Sequence, residues 1–283
     1  MIRVGPAGWN YPDWYGVFYP EKKDKSFKEL DFLADYFDMA EINSTFYRPA
    51  NAFMGRSWVM KTAKNPDFKF TAKLWSRFTH ERRDFGTDEV RLFTTGIDPL
   101  FQAGKLGAVL CQFPWSFRND EPNRKWLDRV LDAFGAYPLV VEVRHSGWDR
   151  PEIAEWLERR GVGLAAIDQP VIGASIPFKP VRTGAIGYVR MHGRNTAAWF
   201  AKPSGSGKEN PSARYDYLYT EAEVAEITAT VKAVSQGTKE TYVVQNNHPR
   251  GQAVANAIQV RRSLGQAMRD LPDSMFLQYP FLR

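Results

Sequence analysis

An acidic and a basic residue stand two positions apart in the segment LVVEVRHSGW, residues 139–148. Successive side chains of a β-strand point to opposite faces, so Glu142 and Arg144 would share one face of a strand. A carboxylate can act as a general base, and a guanidinium beside it can hold an anionic group in place. The same two residues could instead form an ion pair that closes the end of the strand. The residues at the ends of the other strands help to distinguish the two interpretations.

Six more pairs with this spacing end other apolar segments, and each pair finishes on a polar residue. They are Glu41 with Asn43, Thr71 with Lys73, Leu110 with Gln112, Ala166 with Asp168, Arg190 with His192, and Val244 with Asn246. Removing an unpaired charge from water costs on the order of several kcal/mol, so a merely packed strand end would carry apolar residues. The pattern therefore predicts one hollow in which these polar groups meet one another or a ligand.

Eight short apolar segments rich in β-branched residues recur along the chain, and a stretch with helical spacing follows each of them. The segments are residues 2–8, 39–45, 68–74, 106–113, 139–144, 163–168, 187–192 and 241–246. Alternating strands and helices indicate a parallel sheet covered by helices, an α/β fold. Eight such units in 283 residues, close to the ~250 typical of the fold, predict a TIM-type (β/α)8 barrel that forms a single domain over residues 1–283. A Rossmann sheet is disfavoured because no G-x-G-x-x-G motif follows the first segment.

Helix starts and one long loop complete the predicted layout. Ser26 with Glu29, and Thr220 with Glu223, have the spacing of a capping box at a helix N-terminus. Glycine, serine, proline and lysine concentrate in residues 201–217, within a predicted long loop at about 193–219 after the seventh strand. A loop of this length is either a lid or binding loop or a disordered insertion.

The composition is that of an ordinary globular protein, with 43% hydrophobic and 25% charged residues. Lysine and arginine outnumber aspartate and glutamate by 38 to 32, which fits an anionic partner and equally a solvated basic surface. Cys111 is the sole cysteine, which excludes an intramolecular disulfide and a cysteine-rich metal site. Because the sequence has neither an export signal nor an apolar run long enough to span a bilayer, we expect a cytoplasmic protein with no membrane partner.

Five motifs, in order along the chain, resemble those of a known family. They are AEINSTFYRPA (40–50), VEVRHSGW (141–148), YVRMHGRN (188–195), RYDYLY (214–219) and QNNHPRGQAVANA (245–257). Over nearly its whole length the sequence is similar to the YecE-like family, the domain of unknown function 72. The resemblance implies a TIM-type barrel and supplies no reaction. The similarity of this architecture to metal-dependent sugar isomerases and to a group of apurinic-site endonucleases is an analogy of fold.

The polar residues at the strand ends define the predicted site, on the face where barrel enzymes have their active sites. The predicted catalytic residues are Glu142, His192, Glu41 and Asp168. The predicted substrate-binding residues are Asn43, Tyr47, Lys73, Gln112, Arg144, Arg190, Arg194, Asn246 and Asn247. Arg194 and Arg250 follow the seventh and eighth strands, where barrels often bind phosphate, although a turn that leads into a helix explains the same residues.

The favoured function is an enzyme that binds an anionic, phosphorylated substrate, which could be a nucleotide or a nucleic acid, and acts on it by acid/base catalysis. Such an enzyme could be a hydrolase, an isomerase or a lyase. This interpretation requires no cofactor and no metal ligand, because Lys73, Arg144 and Arg190 would neutralise the carboxylates before a cation could. Two alternatives stay open: a nucleic-acid-binding protein without catalysis, and a divalent-metal-dependent phosphodiesterase or sugar isomerase. The expected partner is an anionic small molecule or a nucleic acid.

Overall fold

The computed structural model describes residues 1–200 and 213–283, and each of the eight predicted strands is present in it. The strands are Ile2–Pro6 (β1), Met39–Ile42 (β2), Lys69–Lys73 (β3), Leu106–Gln112 (β4), Leu139–Glu142 (β5), Gly163–Asp168 (β6), Ile186–Met191 (β7) and Glu240–Gln245 (β8). Several end one to three residues before the predicted boundary. The reason is visible after β2, where the chain turns at once into a short helix at Ser44–Tyr47.

All strand pairings are parallel, in the order β1-β8-β7-β6-β5-β4-β3-β2. The two terminal strands of this order approach each other through a single bridge between Ala7 and Glu41. The amide of Gly8 donates to the Glu41 carbonyl oxygen at 2.9 Å. These contacts nearly close the sheet, and the prediction of a (β/α)8 barrel is confirmed.

Helices surround the barrel in the described part of the chain. They are Glu29–Leu33 (α1), Ser44–Tyr47 (α2), Ala52–Lys61 (α3), Thr87–Gln102 (α4), Glu121–Ala133 (α5), Pro151–Arg159 (α6), Thr196–Phe200 (α7), Glu221–Ser235 (α8), Gln252–Ser263 (α9) and Asp273–Gln278 (α10). The predicted helix after the sixth strand is wrong, since residues 169–185 connect β6 to β7 without one. Three prolines and two glycines lie in that connection, and a proline inside a helix removes a backbone hydrogen bond.

One of the two predicted capping boxes is confirmed. Thr220 is the N-cap of α8, its hydroxyl accepts from the amide of Glu223, and the Glu223 carboxylate accepts from the amide of Thr220. The other is wrong, because α1 begins only at Glu29 with Lys28 at its cap position. The Glu29 carboxylate accepts instead from the Tyr15 hydroxyl at 2.8 Å and from Lys23 at 2.6 Å. A charge-assisted bond to an ammonium is stronger than a bond to a neutral amide.

The amino-terminal end of the barrel holds two buried basic residues. Lys105, just before β4, donates from Nζ to the carbonyl oxygens of Thr62, Asn65 and Phe68 at 3.2, 2.9 and 3.5 Å. Arg3 in β1 donates to the Asp67 carbonyl oxygen at 2.6 Å. It also pairs with Glu240 at 3.2 Å and with Asp38 at 3.6 Å. Both cations at this end are therefore bound by hydrogen-bond acceptors and carboxylates of the protein.

Two further sequence predictions concern segments outside the barrel wall. Of the predicted long loop at about 193–219, residues 201–212 lie outside the described residues, and the described flanks contain α7 and a 3-10 turn at Ala213–Tyr215. Within residues 1–200 and 213–283, no helix has both the length and the hydropathy needed to cross a membrane.

Candidate active site

A buried arginine links two buried carboxylates at the carboxyl ends of the strands. Arg190 of β7 donates from Nη2 to Glu41 Oε1 at 2.6 Å and from Nε to Glu41 Oε2 at 3.1 Å. Its Nη1 donates to Glu142 Oε2 at 3.1 Å. The side chains of Glu41 and Glu142 are 0% exposed and that of Arg190 is 2% exposed, so this bridge joins β2, β5 and β7 in the interior of the barrel.

A second arginine and a histidine complete this ion-pair network. Arg144 donates from Nε and Nη2 to Glu142 Oε1 at 3.2 and 3.0 Å. His192 is buried, and its Nε2 lies 3.2 Å from Glu142 Oε1. The Asn246 amide lies 3.1 Å from His192 Nδ1, and the Arg144 guanidinium lies 3.2 Å from His192 Nε2. The strand-end pair Glu142 and Arg144 is thus part of a network that spans several strands.

The protonation states within this network follow from burial and charge. Burial by itself would raise the pKa of Glu142, but the guanidinium groups of Arg190 and Arg144 outweigh it and hold that pKa well below its usual value. Burial, with Arg144 and Arg190 nearby, lowers the pKa of His192 to about 3. At neutral pH Glu142 is a charged carboxylate and His192 a neutral imidazole.

Lys73 differs from the other cations of this face. It is the last residue of β3 and is half-buried. Its ammonium lies 3.8 Å from the centroid of the Phe46 ring, and in the described part of the chain its Nζ makes no hydrogen bond and no ion pair. Burial and the charge of Arg190 lower the pKa of Lys73 to about 7, although Glu41 and Glu142 act in the opposite direction.

The pattern of strand ends did not identify several residues that belong to this site. Phe46 covers the Lys73 ammonium, and His80 meets the edge of the Phe46 ring with centroids 4.7 Å apart. Burial, together with Lys73 and Arg144, lowers the pKa of His80 to about 4. Tyr188 donates to Glu41 Oε2 at 2.7 Å. The alternation along β7 could have indicated Tyr188, which lies two residues before Arg190, whereas nothing in the spacing points to His80.

The sequence profile of a family described as "Protein of unknown function DUF72" matches residues 3–277. The chain belongs to the DUF72 family. It is 30% identical over 271 residues to UPF0759 protein YunF of Bacillus subtilis (strain 168), with 92% of this chain and 93% of the relative covered. The resemblance to the YecE-like family noted from the motifs is confirmed.

Solved structures of DUF72 proteins share this barrel. A DUF72 family protein (TM1631) of Thermotoga maritima MSB8 is 34% identical, with a TM-score of 0.78, and the match covers 94% of this chain and 100% of that one. A DUF72 family protein (EF0366) of Enterococcus faecalis V583 is 26% identical, with a TM-score of 0.80, and 96% and 98% are covered. These matches show the family and the fold, so the chemistry of the site has to be inferred from its side chains.

Asp168 belongs to a separate cluster of this DUF72 barrel. Its carboxylate accepts from Arg194 at 2.8 Å and from the Tyr219 hydroxyl at 2.6 Å. Arg194 also pairs with Glu223 at 3.4 Å and with Glu226 at 3.0 Å, so its charge is shared among three acids. Burial raises the pKa of Asp168, although Arg194 and Tyr219 oppose that shift.

The remaining predicted residues lie at different distances from the ion-pair network. Gln112 is buried and is the Cα partner of Glu142 across β4 and β5. Asn43 is half-buried next to the Tyr11 phenol, whose pKa it lowers against the larger effect of burial. Tyr47 is 78% exposed. Asn247 is buried and donates to the Tyr217 carbonyl oxygen and to Asn256, each at 2.8 Å, away from the network. Arg250 pairs with Asp216 at 2.5 Å.

The strand ends therefore bring together only part of the predicted set. The residues that share one region are Glu41, Lys73, Glu142, Arg144, Arg190, His192 and Asn246. Among residues 1–200 and 213–283, no group of three or more His, Cys, Asp or Glu side chains could hold a metal ion. Both central carboxylates are instead engaged by arginines, and the arrangement can attract an anion more readily than a cation.

Proposed function

We propose that this DUF72 protein is an enzyme that binds a small anionic substrate at the carboxyl-terminal face of its barrel and acts on it by acid/base chemistry. The observation that carries the proposal is the state of Lys73. Its ammonium is half-buried beside a charged network, yet no carboxylate within the described residues pairs with it. Buried cations are ordinarily paired, so an unpaired one suggests that a ligand supplies the missing negative charge.

The charges of the central network favour the same conclusion. Within residues 1–200 and 213–283, the three cations Lys73, Arg144 and Arg190 face two carboxylates, those of Glu41 and Glu142. The network therefore carries one positive charge in excess when Lys73 is protonated. A low-dielectric pocket with one sign of charge raises the local concentration of ligands of the opposite sign.

Acid/base catalysis is most efficient when the pKa of the catalytic group lies near the working pH. Lys73, with a pKa of about 7, meets this requirement. Glu142 and His192 are held at pKa values well below neutrality, the histidine at about 3. In this proposal Lys73 transfers the proton, whereas Glu142 and His192 hold the two arginines and Asn246 in position.

The proposal is tested by anion binding, with inorganic phosphate and pyruvate as probes. Calorimetric titration of the wild-type protein is compared with Lys73→Gln and with Lys69→Gln. Lys69 starts the same strand, and its Nζ donates to the Gly104 carbonyl oxygen at the opposite end of the barrel. We expect at least one probe to bind, Lys69→Gln to bind it equally, and Lys73→Gln to bind it about tenfold more weakly or worse, a loss of about 1.4 kcal/mol.

Two results would contradict the proposal. One is that neither phosphate nor pyruvate binds the wild-type protein, or that Lys73→Gln binds them as tightly as wild type. The other is that single-stranded oligothymidylate binds with an affinity that falls steeply with salt and is unchanged in Lys73→Gln, because such binding would come from phosphate contacts elsewhere on the basic surface. That second result would favour the nucleic-acid-binding alternative.

A further inference from the structure

Lys73 is the half-buried last residue of β3, and hydrogen bonds fix the backbone that carries its side chain. The Thr45 hydroxyl donates to the Lys73 carbonyl oxygen at 2.7 Å and to the Ile42 carbonyl oxygen at 3.1 Å, and so links the ends of β3 and β2. Two residues earlier on β3, the Thr71 hydroxyl lies 3.0 Å from the Tyr188 hydroxyl inside the barrel. The strand end is thus anchored on both sides, and the amine is carried on a fixed backbone.

The surroundings of the amine are those that a nucleophile requires. Phe46 excludes water from one side of it, with the ring centroid 3.8 Å from Nζ. Lys73 is half-buried, whereas the side chains of Glu41, Glu142, Arg190 and His192 are at most 2% exposed. Among the groups of the central network, the lysine is therefore one that an incoming molecule can reach.

We propose that Lys73 forms an imine with a small aldehyde or ketone that carries an anionic group, and that Arg144 and Arg190 attract that group to the mouth. This inference rests on the proposed function, since it names the substrate class of the same site. A lysine becomes nucleophilic when desolvation and neighbouring cations keep part of it neutral at working pH. Its pKa of about 7 is compatible with that state.

The covalent step balances without a further reactant. The lone pair of the neutral Lys73 amine attacks the carbonyl carbon and forms the C–N bond, and the C=O π electrons move to the oxygen. One amine proton is transferred to that oxygen to give a carbinolamine. The second amine proton leaves with the hydroxyl group as water, and the C=N bond forms. Hydrolysis reverses each of these events and restores the amine.

In the proposed reaction His80 assists these proton transfers, and its Nδ1 lies 3.0 Å from the Thr79 hydroxyl. It lies close enough to Lys73 for the ammonium charge to help lower its own pKa, which is about 4, so its imidazole is neutral at neutral pH. A neutral imidazole has one donor and one acceptor nitrogen and can accept a proton from one atom while it gives one to another. Its ring is held against the edge of Phe46.

Trapping by reduction tests the inference on the whole chain. The protein is incubated with pyruvate or dihydroxyacetone phosphate, reduced with borohydride, and digested for peptide mass mapping. We expect one reduced adduct on the peptide that contains Lys73, with labelling at least about tenfold above that of any other lysine, because solvated lysines are almost wholly protonated at neutral pH. Lys69→Arg, the matched change on the same strand, should label like wild type.

The arginine variant separates this inference from the proposed function. Lys73→Arg keeps the positive charge but cannot form an imine, so it should still bind phosphate or pyruvate and should give no reduced adduct. If wild-type protein binds these anions yet gives no Lys73 adduct, or if Lys73→Arg is labelled as strongly as wild type, the imine is overturned and the proposed function stands. If wild-type protein binds neither anion and gives no adduct, both are overturned.

Discussion

Two lysines near the ends of neighbouring strands, one at each end of the barrel, have opposite surroundings. Lys105 lies before β4 at the amino-terminal end, is 8% exposed, and donates to three backbone carbonyl oxygens. Lys73 ends β3 at the carboxyl-terminal end, and its Nζ has an aromatic ring beside it and no hydrogen-bond acceptor within the described residues. A lysine ammonium is thus fully hydrogen-bonded at the amino-terminal end, whereas at the carboxyl-terminal end it has no hydrogen-bond acceptor within the described residues.

The difference shows how to separate structural charge from functional charge in one barrel. The turn from Thr62 to Phe68 supplies the acceptors for Lys105, so that lysine fastens a connection to the barrel. At the other end, Glu41 and Glu142 already form ion pairs with arginines, and Lys73 has no carboxylate partner within the described residues. Active sites in barrels lie at the carboxyl ends of the strands, while the opposite end serves stability. Burial alone therefore does not mark a functional charge, whereas a missing partner does.

The largest expected effect comes from the paired part of the carboxyl-terminal end. Arg190→Met would leave Glu41 and Glu142 buried without their shared cation, and breaking a buried ion pair from one side costs roughly 3–5 kcal/mol. Urea unfolding should show this loss at neutral pH, and a smaller loss in acid, where the carboxylates become protonated. Arg91→Met, at an exposed pair with Asp88, is the control and should leave the unfolding midpoint unchanged. Equal stability of Arg190→Met and wild type would mean that this network is not structural.

The two lysines themselves should respond to the same substitution with opposite signs. Lys105→Met removes three hydrogen bonds from a charged donor, and we expect the free energy of unfolding to fall by about 3 kcal/mol. Lys73→Met replaces an unpaired cation by an apolar side chain of similar length, and we expect a gain of about 1 kcal/mol. Parallel urea titrations measure the two values. If both variants lose stability by the same amount, the contrast between the two ends does not hold.

The contribution of Lys73 to stability should depend on pH. Its folded-state pKa is lowered to about 7, so the cost of its charge is fully present below that pH and declines as pH rises toward the unfolded-state pKa of about 10.4. The charged or titratable groups around it are Arg190, Glu41, Glu142, Arg144 and His80, and His80, with a pKa of about 4, is already neutral in this range. From about pH 6 to about pH 9, wild type should gain about 2.7 kcal/mol relative to Lys73→Met. A constant difference would show that Lys73 has an ordinary pKa.

The barrel was predictable because its signal is repeated and local. Eight apolar segments, seven of them with polar ends, stay recognisable despite errors of a few residues at each boundary, and the alternation along a strand placed Glu142 and Arg144 on one face. The helix expected after β6 failed because prolines in residues 169–185 outweigh any helical spacing. The capping box predicted at Ser26 is absent because the Glu29 carboxylate accepts hydrogen bonds from Lys23 and Tyr15 instead. Both errors come from competing interactions that the spacing of residues does not reveal.

The alternation of side chains along the strands predicted only part of the site. Alternation places Glu41, Arg190 and His192 in the interior, but it cannot say which charges neutralise which. Arg194 and Asn247 follow their strands by more than one position, and the turns there direct them to Glu226 and Asn256. His80 and Phe46 lie on connections whose path depends on tertiary packing. Which cation lacks a partner is therefore a property of three-dimensional structure alone.

A smaller loss than that of Lys105→Met should come from the separate Asp168 cluster, which is paired like the amino-terminal end although it lies at the carboxyl-terminal end. The Tyr219 hydroxyl donates to Asp168 at 2.6 Å and accepts from the amide of Gly193 at 2.8 Å. Tyr219→Phe removes both bonds, and we expect a loss of about 1–2 kcal/mol at neutral pH. Tyr137→Phe, which removes a hydroxyl bonded to Asp98 at a half-buried position, should lose less.

The pH dependence of that variant decides whether Asp168 is structural. Burial raises the pKa of Asp168 and the bond from Tyr219 opposes that shift, so Tyr219→Phe should raise it further. A carboxyl whose folded-state pKa is raised destabilises the protein once pH exceeds the unfolded-state value, and this cost disappears when the group is protonated in acid. The deficit of Tyr219→Phe should therefore shrink as pH falls, down to the part caused by the Gly193 amide. A deficit that stays constant with pH, together with unchanged anion binding, would assign the whole effect to that amide and leave Asp168 without a role in holding this loop.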